Sequence, residues 1–284
     1  FVLSYFSKNS QGTTRQTLGR NDFKNTRVLI PPKQEQTTIA DYLDRKTAAI
    51  DDLIEDKKRL LQLYEEEKQA VIDELVTGKK VWNGKEWTQP QEVKDSGIEW
   101  LGEIPEDWEV RKLKFISKLK SGSSITSEQI KEDESYPVYG GNGIRGFNER
   151  FTHEGEFILI GRQGAHCGNI KLTNGKFWAS EHAVVVNKKQ KFSNYFLSKL
   201  LDVMKLGQYS VSSAQPGLAV NKINELKIPF PSINEQETIS NNIRKESTRL
   251  DSKIHNTNRL INLLQEYRQA LISEVVTGKV KVTD

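Results

Sequence analysis

This chain has one cysteine, Cys167, one methionine and four histidines among its 284 residues. A lone cysteine makes no internal disulfide, which fits a reducing compartment and the cytoplasmic location expected here. His153, His166, Cys167 and His182 show no paired ligand spacing such as Cys-x-x-Cys, so no metal is expected. No apolar run approaches the ~20 residues that cross a bilayer, and no membrane partner is expected. Catalytic motifs are scarce too. Gly140-Gly141-Asn142-Gly143 lacks the lysine and spacing of a phosphate-binding P-loop and reads as a hairpin turn. No Ser/His/Asp arrangement or carboxylate pair stands out, and no Asn/Asp-Pro-Pro-Tyr/Phe signature of an adenine methyltransferase is found. The expectation is a protein with no catalytic residues and no cofactor.

Charge is abundant by contrast, at 28% of residues, and its placement says more than the net +4. Residues 1–33 carry six Lys/Arg against one acid, whereas 34–78 carry six against twelve and 79–110 four against eight. Residues 111–230 carry eighteen against ten, and 234–278 balance at six and six. Basic blocks alternating with acidic or neutral ones are expected where only certain modules meet a polyanion. The chain opens on Phe1 within apolar sequence and reads as the later part of a longer protein.

A duplication organises the chain. Glu35 aligned with Glu235 starts an ungapped match to Lys79 and Lys279, with identities at Gln36/Gln236, Ile39/Ile239, Asp51/Asp251, Ile54/Ile254, Leu60/Leu260 and Gln69/Gln269. Both copies close on Val-Thr-Gly-Lys, and the register extends upstream through Pro31/Pro231, Asn21/Asn221 and Leu18/Leu218. Each copy reads as a helix that prolines open and Gly78 or Gly278 ends. Apolar residues recur at Ile39, Leu43, Ile50, Ile54, Leu61, Tyr64, Val71 and Leu75. They recur again at Ile239, Ile243, Leu250, Ile254, Ile261, Leu264, Leu271 and Val275. Steps of three and four make one stripe per helix, so the two helices, each about 60–65 Å long, are expected to pair antiparallel. The pairing is assigned to Leu43, Ile50, Ile54, Tyr64 and Val71 against Ile243, Leu250, Ile254, Leu264 and Leu271. The other course is that each stripe packs on its own globular domain.

Residues 79–110 form a tryptophan-bearing connector that proline and glycine deny long regular structure. From 111 to 230 the pattern turns to short β runs at 136–139, 157–160 and 183–186, with glycine turns at 140–143 and 161–164 and an amphipathic helix at 193–206. The fold class is α+β.

This arrangement resembles the DNA-sequence specificity subunit of type I restriction-modification systems. The resemblance rests on Ser96-Gly97-Ile98-Glu99-Trp100-Leu101-Gly102-Glu103-Ile104-Pro105-Glu106-Asp107-Trp108, on Pro137-Val138-Tyr139-Gly140-Gly141-Asn142-Gly143, on Leu159-Ile160-Gly161-Arg162-Gln163-Gly164, and on the paired Val-Thr-Gly-Lys endings. It implies that 1–33 is the tail of a first target-recognition domain, 34–78 a central long helix, 79–110 a connector, 111–230 a second, β-rich target-recognition domain, and 231–279 a C-terminal helix that pairs with the first as an antiparallel coiled coil. It also implies partners: double-stranded DNA, two methyltransferase subunits, and a restriction/translocase subunit reached through the complex. Chemistry would belong to those partners.

Donors beside glycine turns in the basic block are the candidate DNA contacts. Arg145, Arg162 and Gln163 can bond base edges where glycine lets backbone approach. Lys171, Lys176 and Lys222 are candidate phosphate contacts, Ser213 and Gln215 could face a groove, and Arg15 and Arg20 stand nearby in the first copy. Against this reading stands a helical scaffold that binds proteins only.

Overall fold

The computed structural model describes residues 17, 19–25, 30–164, 166–210 and 217–282. The chain forms two compact units, one spanning Glu67–Arg249 and one made of the described residues up to Glu66 together with those from Leu250. The duplication is visible as structure. A short helix α1 (Arg20–Lys24) precedes the long helix α2 (Lys33–Val76), and 200 residues later α5 (Val220–Glu225) precedes α6 (Ile233–Val276). Both long helices have 44 residues and stop at the same motif. The Gly78 and Gly278 φ angles of 79° and 72° are left-handed, a conformation glycine enters without Cβ strain. Beyond each, the N–H of Lys80 or Val280 returns to the carbonyl of Glu74 or Glu274 and satisfies the helix end.

The helices pair antiparallel along the apolar stripe. In the unit that holds residues up to 66 and from 250, Ile50, Ile54, Ile261, Leu271 and Val275 are buried, with Ile39, Tyr42, Leu43, Leu61 and Leu264 packed against them. Polar contacts flank the seam. Arg268 meets Asp51, its Nη2 donating to Oδ2 at 3.0 Å, and the Lys253 ammonium lies 5.1 Å from the centre of the Tyr64 ring. In the unit 67–249, Arg249 Nη2 donates to Glu67 Oε1 at 2.5 Å. As the number rises along α2 from 51 through 64 to 67, it falls along α6 from 268 through 253 to 249. The stripe also reaches a second destination. Val71, Ile72, Leu75 and Val76 of α2, with Ile239 and Ile243 of α6, enter the main core of unit 67–249. Both stripes thus enter one shared core there, rather than each packing on its own globular domain.

That core lies against a four-stranded antiparallel sheet ordered β11 (Ile170–Thr173), β10 (Phe157–Gly161), β13 (Ala183–Lys188), β6 (Ser117–Ser121). Side chains alternate across a strand, so Ile158, Ile160, Val184 and Val186 face the helical core. Leu159 and Val185 face the other way, onto Phe177 and Ala179. Burial on both faces explains the unbroken apolar runs of β10 and β13. Phe177 and Ala179 belong to a second sheet, ordered β8 (Gly143–Asn148), β7 (Tyr136–Gly140), β12 (Lys176–Ala179), β9 (His153–Glu154), in which β12 and β7 run parallel. The connector carries only two short hairpins, β1 (Val81–Trp82) with β2 (Trp87–Thr88), and β3 (Val93–Asp95) with β4 (Glu103–Pro105). β5 (Glu109–Lys112) pairs with β14 (Lys227–Phe230), and α3 (Leu113–Ile116) follows β5. The helix anticipated over 193–206 is α4 (Asn194–Val203), capped by the Ser193 hydroxyl, which accepts from the Phe196 N–H. Lys205, at φ 47°, follows its end.

The start of α6 is fastened to this unit by polar bonds. Gln236, fully buried, donates through Nε2 to the Pro231 carbonyl at 2.9 Å and accepts the Ser193 N–H at 3.0 Å. Its counterpart Gln36 makes the same bond to the Pro31 carbonyl, at 2.7 Å, but is exposed. Trp108, also fully buried, donates its indole N–H to Glu235 Oε1 at 2.9 Å. Burial pushes the Glu235 carboxyl above its ordinary value, the Trp108 bond pulls it back in part, and Asp107 adds to the rise.

Gln236→Ala is expected to cost about 1–3 kcal/mol, because it strands the Ser193 N–H and the Pro231 carbonyl, whereas Gln36→Ala should cost less than about 0.5 kcal/mol. Urea unfolding of the two variants checks this, and equal losses would contradict it. A carboxyl raised in the folded state holds its proton more tightly than in the unfolded chain. Its contribution to stability is therefore present at low pH and declines as pH rises from the ordinary carboxylate range through the raised folded value. Glu235→Gln keeps an oxygen acceptor for Trp108, and thermal unfolding across pH should show that decline flattened.

Candidate nucleic-acid interface

The two glycine motifs meet in space. Gly140-Gly141-Asn142-Gly143 turns β7 into β8, and Gly161 leads from β10 into the 162–169 loop. That connection is longer than the tight turn its glycine spacing suggests. The Gly141 carbonyl presses on the Gly161 α-carbon where any Cβ would collide with it, and a Cβ on Gly141 would stand 2.8 Å from the Gln163 carbonyl oxygen. Only two residues without side chains let these backbones come so near. Asn169 Nδ2 donates to Asn142 Oδ1 at 3.1 Å and closes the junction.

The junction forms the floor of an open concavity walled by residues 141–145 on one side and by Gln163, Gly164 and His182 on the other. Arg145 and Gln163, singled out from the sequence, are brought to it together. The Arg145 stem lies across Gly140, where a Cβ would collide with Cδ. Gln163 is exposed, and its Oε1 lies 2.8 Å from His182 Nδ1. Lys171, exposed on β11, stands beside the hairpin turn, its Cε 3.9 Å from where a Cβ on Gly143 would be.

Arg162 is placed differently from its neighbour. Its N–H donates to the His182 carbonyl and its own carbonyl accepts from Leu218, each at 2.9 Å. It is half-buried, and its Nη1 donates to Ser121 Oγ at 3.2 Å. Lys176 lies on the second sheet, 4.9 Å from the centre of the Phe151 ring and 4.0 Å from Glu154. Lys222 is exposed on α5, and Arg20 is exposed at the start of α1, in the other unit. Arg15, Ser213 and Gln215 lie outside the described residues.

Sequence reasoning missed His182 and the Asn142–Asn169 pair as members of this group. No spacing announces them, because strand register and a loop bring them in. The other candidates for metal ligation lie elsewhere. His153 stacks on Phe177, with ring centres 5.4 Å apart, and burial and then Lys120 lower its pKa. The buried Cys167 thiol donates to the Arg162 carbonyl at 3.3 Å, and burial raises its pKa. Among the described residues no group of three or more His, Cys, Asp and Glu stands together.

A two-sheet α+β unit with polar donors gathered at glycine turns, in a chain with two long antiparallel helices, defines the class of protein. The family model for the type I restriction modification DNA specificity domain matches residues 1–63 and 105–266, and the chain belongs to that family. It is 41% identical over 162 residues to the type I restriction enzyme EcoprrI specificity subunit of Escherichia coli, a match covering 52% of this chain and 40% of that protein. It is 22% identical over 307 residues to the MjaVIII specificity subunit of Methanocaldococcus jannaschii, covering 98% of this chain and 68% of that one. The chain thus spans about two fifths of the Escherichia coli relative. Among solved structures, the HsdS subunit from Thermoanaerobacter tengcongensis matches with a TM-score of 0.60 at 14% identity, covering 98% of this chain and 68% of that one. A chain from a study of complex assembly and conformational transition in the type I R-M system matches at 0.74, also at 14% identity, covering 97% of this chain and 67% of that one. These two likenesses speak to the fold.

Gly161→Ala should force the two glycine motifs apart and destabilise the unit by about 2 kcal/mol or more, since the clash is with backbone that cannot rotate away. Gly164→Ala meets nothing within 4 Å at its Cβ and pays only for a left-handed φ of 89°, so its thermal unfolding should shift less.

Proposed function

We infer that this chain is the DNA-reading, non-catalytic specificity element of a type I restriction-modification complex. The observation that carries the reading is the concavity at the glycine junction, where Arg145 and Gln163 converge within a segment, 111–230, of eighteen basic and ten acidic residues. Arginine and glutamine bond base edges in the major groove, while lysines position the duplex through phosphates. On this reading Arg145, Gln163 and Arg162 belong to the base-reading surface, and Lys171, Lys176 and Lys222 meet phosphates. Ser213 and Gln215 in the second copy, with Arg15 and Arg20 in the first, are assigned to the same role.

Residues 111–230 then act as one target-recognition domain and 1–33 as the tail of another, with the connector 79–110 and the helices 34–78 and 231–279 setting their spacing. A reader-plus-helix unit present twice suits a target in two parts, as half-site spacing mirrors repeat spacing in other readers. The helices and connector are the docking surface for two methyltransferase subunits, with the restriction subunit joining through them, in the cytoplasm. A helical scaffold that binds proteins alone is the second reading, favoured only by the length of the helices.

Titration of a labelled duplex carrying the target distinguishes the two. Binding should weaken at least about tenfold between 50 and 200 mM salt as counterions return to the DNA. Arg145→Ala should lose about 1–3 kcal/mol of discrimination at one base position. Salt-insensitive or absent binding, with partner subunits present, would leave the scaffold reading standing.

A further inference from the structure

We propose that His182 is a positioning residue that decides which bases Gln163 accepts; this rests on the DNA-reading function inferred above. A free glutamine carboxamide presents a donor and an acceptor side by side, and so can bond adenine N6 and N7 together. In this fold one of those two atoms is engaged. Gln163 Oε1 lies 2.8 Å from His182 Nδ1, and His182 Nε2 lies 3.2 Å from Glu181 Oε1. Both contacts are hydrogen bonds at once when both ring nitrogens carry hydrogen, the ring donating to the carboxylate on one side and to the amide oxygen on the other.

The geometry does not depend on chance meeting of two surface side chains. Gly161 pairs with Ala183 at the end of the β10–β13 ladder, and the Arg162 N–H donates to the His182 carbonyl at 2.9 Å just beyond it. Gln163 and His182 are therefore each one residue from a fixed main-chain position. The planar amide sends its two ends in different directions, so holding Oε1 at the imidazole leaves the Nε2 amino group as the end offered to the concavity. Gln163 then reads as a lone donor. Guanine O6 and N7, thymine O4 and adenine N7 each accept from it in the major groove, whereas cytosine presents there only its N4 amino hydrogens. The readout is exclusion of cytosine.

The test is selection from a randomised duplex library with the full chain assembled with the methyltransferase subunits inferred above. The unaltered chain should deplete cytosine at one position. Gln163→Glu keeps an oxygen for His182 but offers a second oxygen in place of the amino group, so the same position should move to cytosine or adenine. His182→Ala frees the amide to rotate and offer its oxygen, and discrimination against cytosine at that position should fall about tenfold. Thermal unfolding of both variants confirms that they are folded; these side chains are surface groups, and Gln163→Glu tests the idea even if His182→Ala does not fold. A Gln163→Glu chain that still excludes cytosine, or a His182→Ala chain with unchanged preference, overturns the proposal while leaving the DNA-reading function intact. If the unaltered chain enriches no sequence, that function falls and this proposal falls with it.

Discussion

The apolar stripe shared by α2 and α6 is the constraint from which the rest follows. Helices of 44 residues with such polar composition gain little from propensity alone, and need a buried face to persist. Along part of their length that face is the other helix, with Ile50 and Ile54 against the Ile261–Val275 stripe. At Val71–Val76 and Ile239–Ile243 the same stripe enters the core built on β10 and β13. Helix pairing and domain anchoring thus draw on the same apolar stripe of each helix.

The anchoring is sharpened by polar groups whose burial is tolerated because each is bonded. Gln236 is enclosed but spans the Pro231 carbonyl and the Ser193 N–H, and Ser193 itself caps α4 and meets Ser240 Oγ at 3.0 Å. Such a network admits few alternative arrangements, since each member would leave a partner unbonded on moving. The copies differ here: Gln36 keeps its bond to Pro31 while lying exposed. A shared residue therefore ties down the chain entering the helix in both copies and serves as an interdigitated anchor in one.

The candidate interface rests on backbone rather than on side chains. Gly141 and Gly161 touch because neither has a Cβ, and that contact places a hairpin wall and a loop wall around one concavity. Exposed donors on such a frame can differ among proteins of one fold without disturbing the core, as binding loops on a rigid scaffold do.

Much of this was legible from composition and period. The 200-residue repeat, both long helices and their glycine stops, and the strands around 136–140, 157–161 and 183–188 follow from local chemistry: stripe spacing, β-branched runs, and glycine where φ must be positive. Arg145 and Gln163 were also picked out, because a donor beside a glycine turn is a local pattern. What tertiary structure alone decided is which of these patterns touch. His182 reaches Gln163 only because β10 and β13 pair in a register that sets Gly161 opposite Ala183, and Arg162 turns to Ser121 through the same sheet. Hydrogen bonds between residues 19 and 41 positions apart leave no trace in spacing, since a sequence specifies each strand's faces but not, by itself, the neighbour against which those faces come to rest.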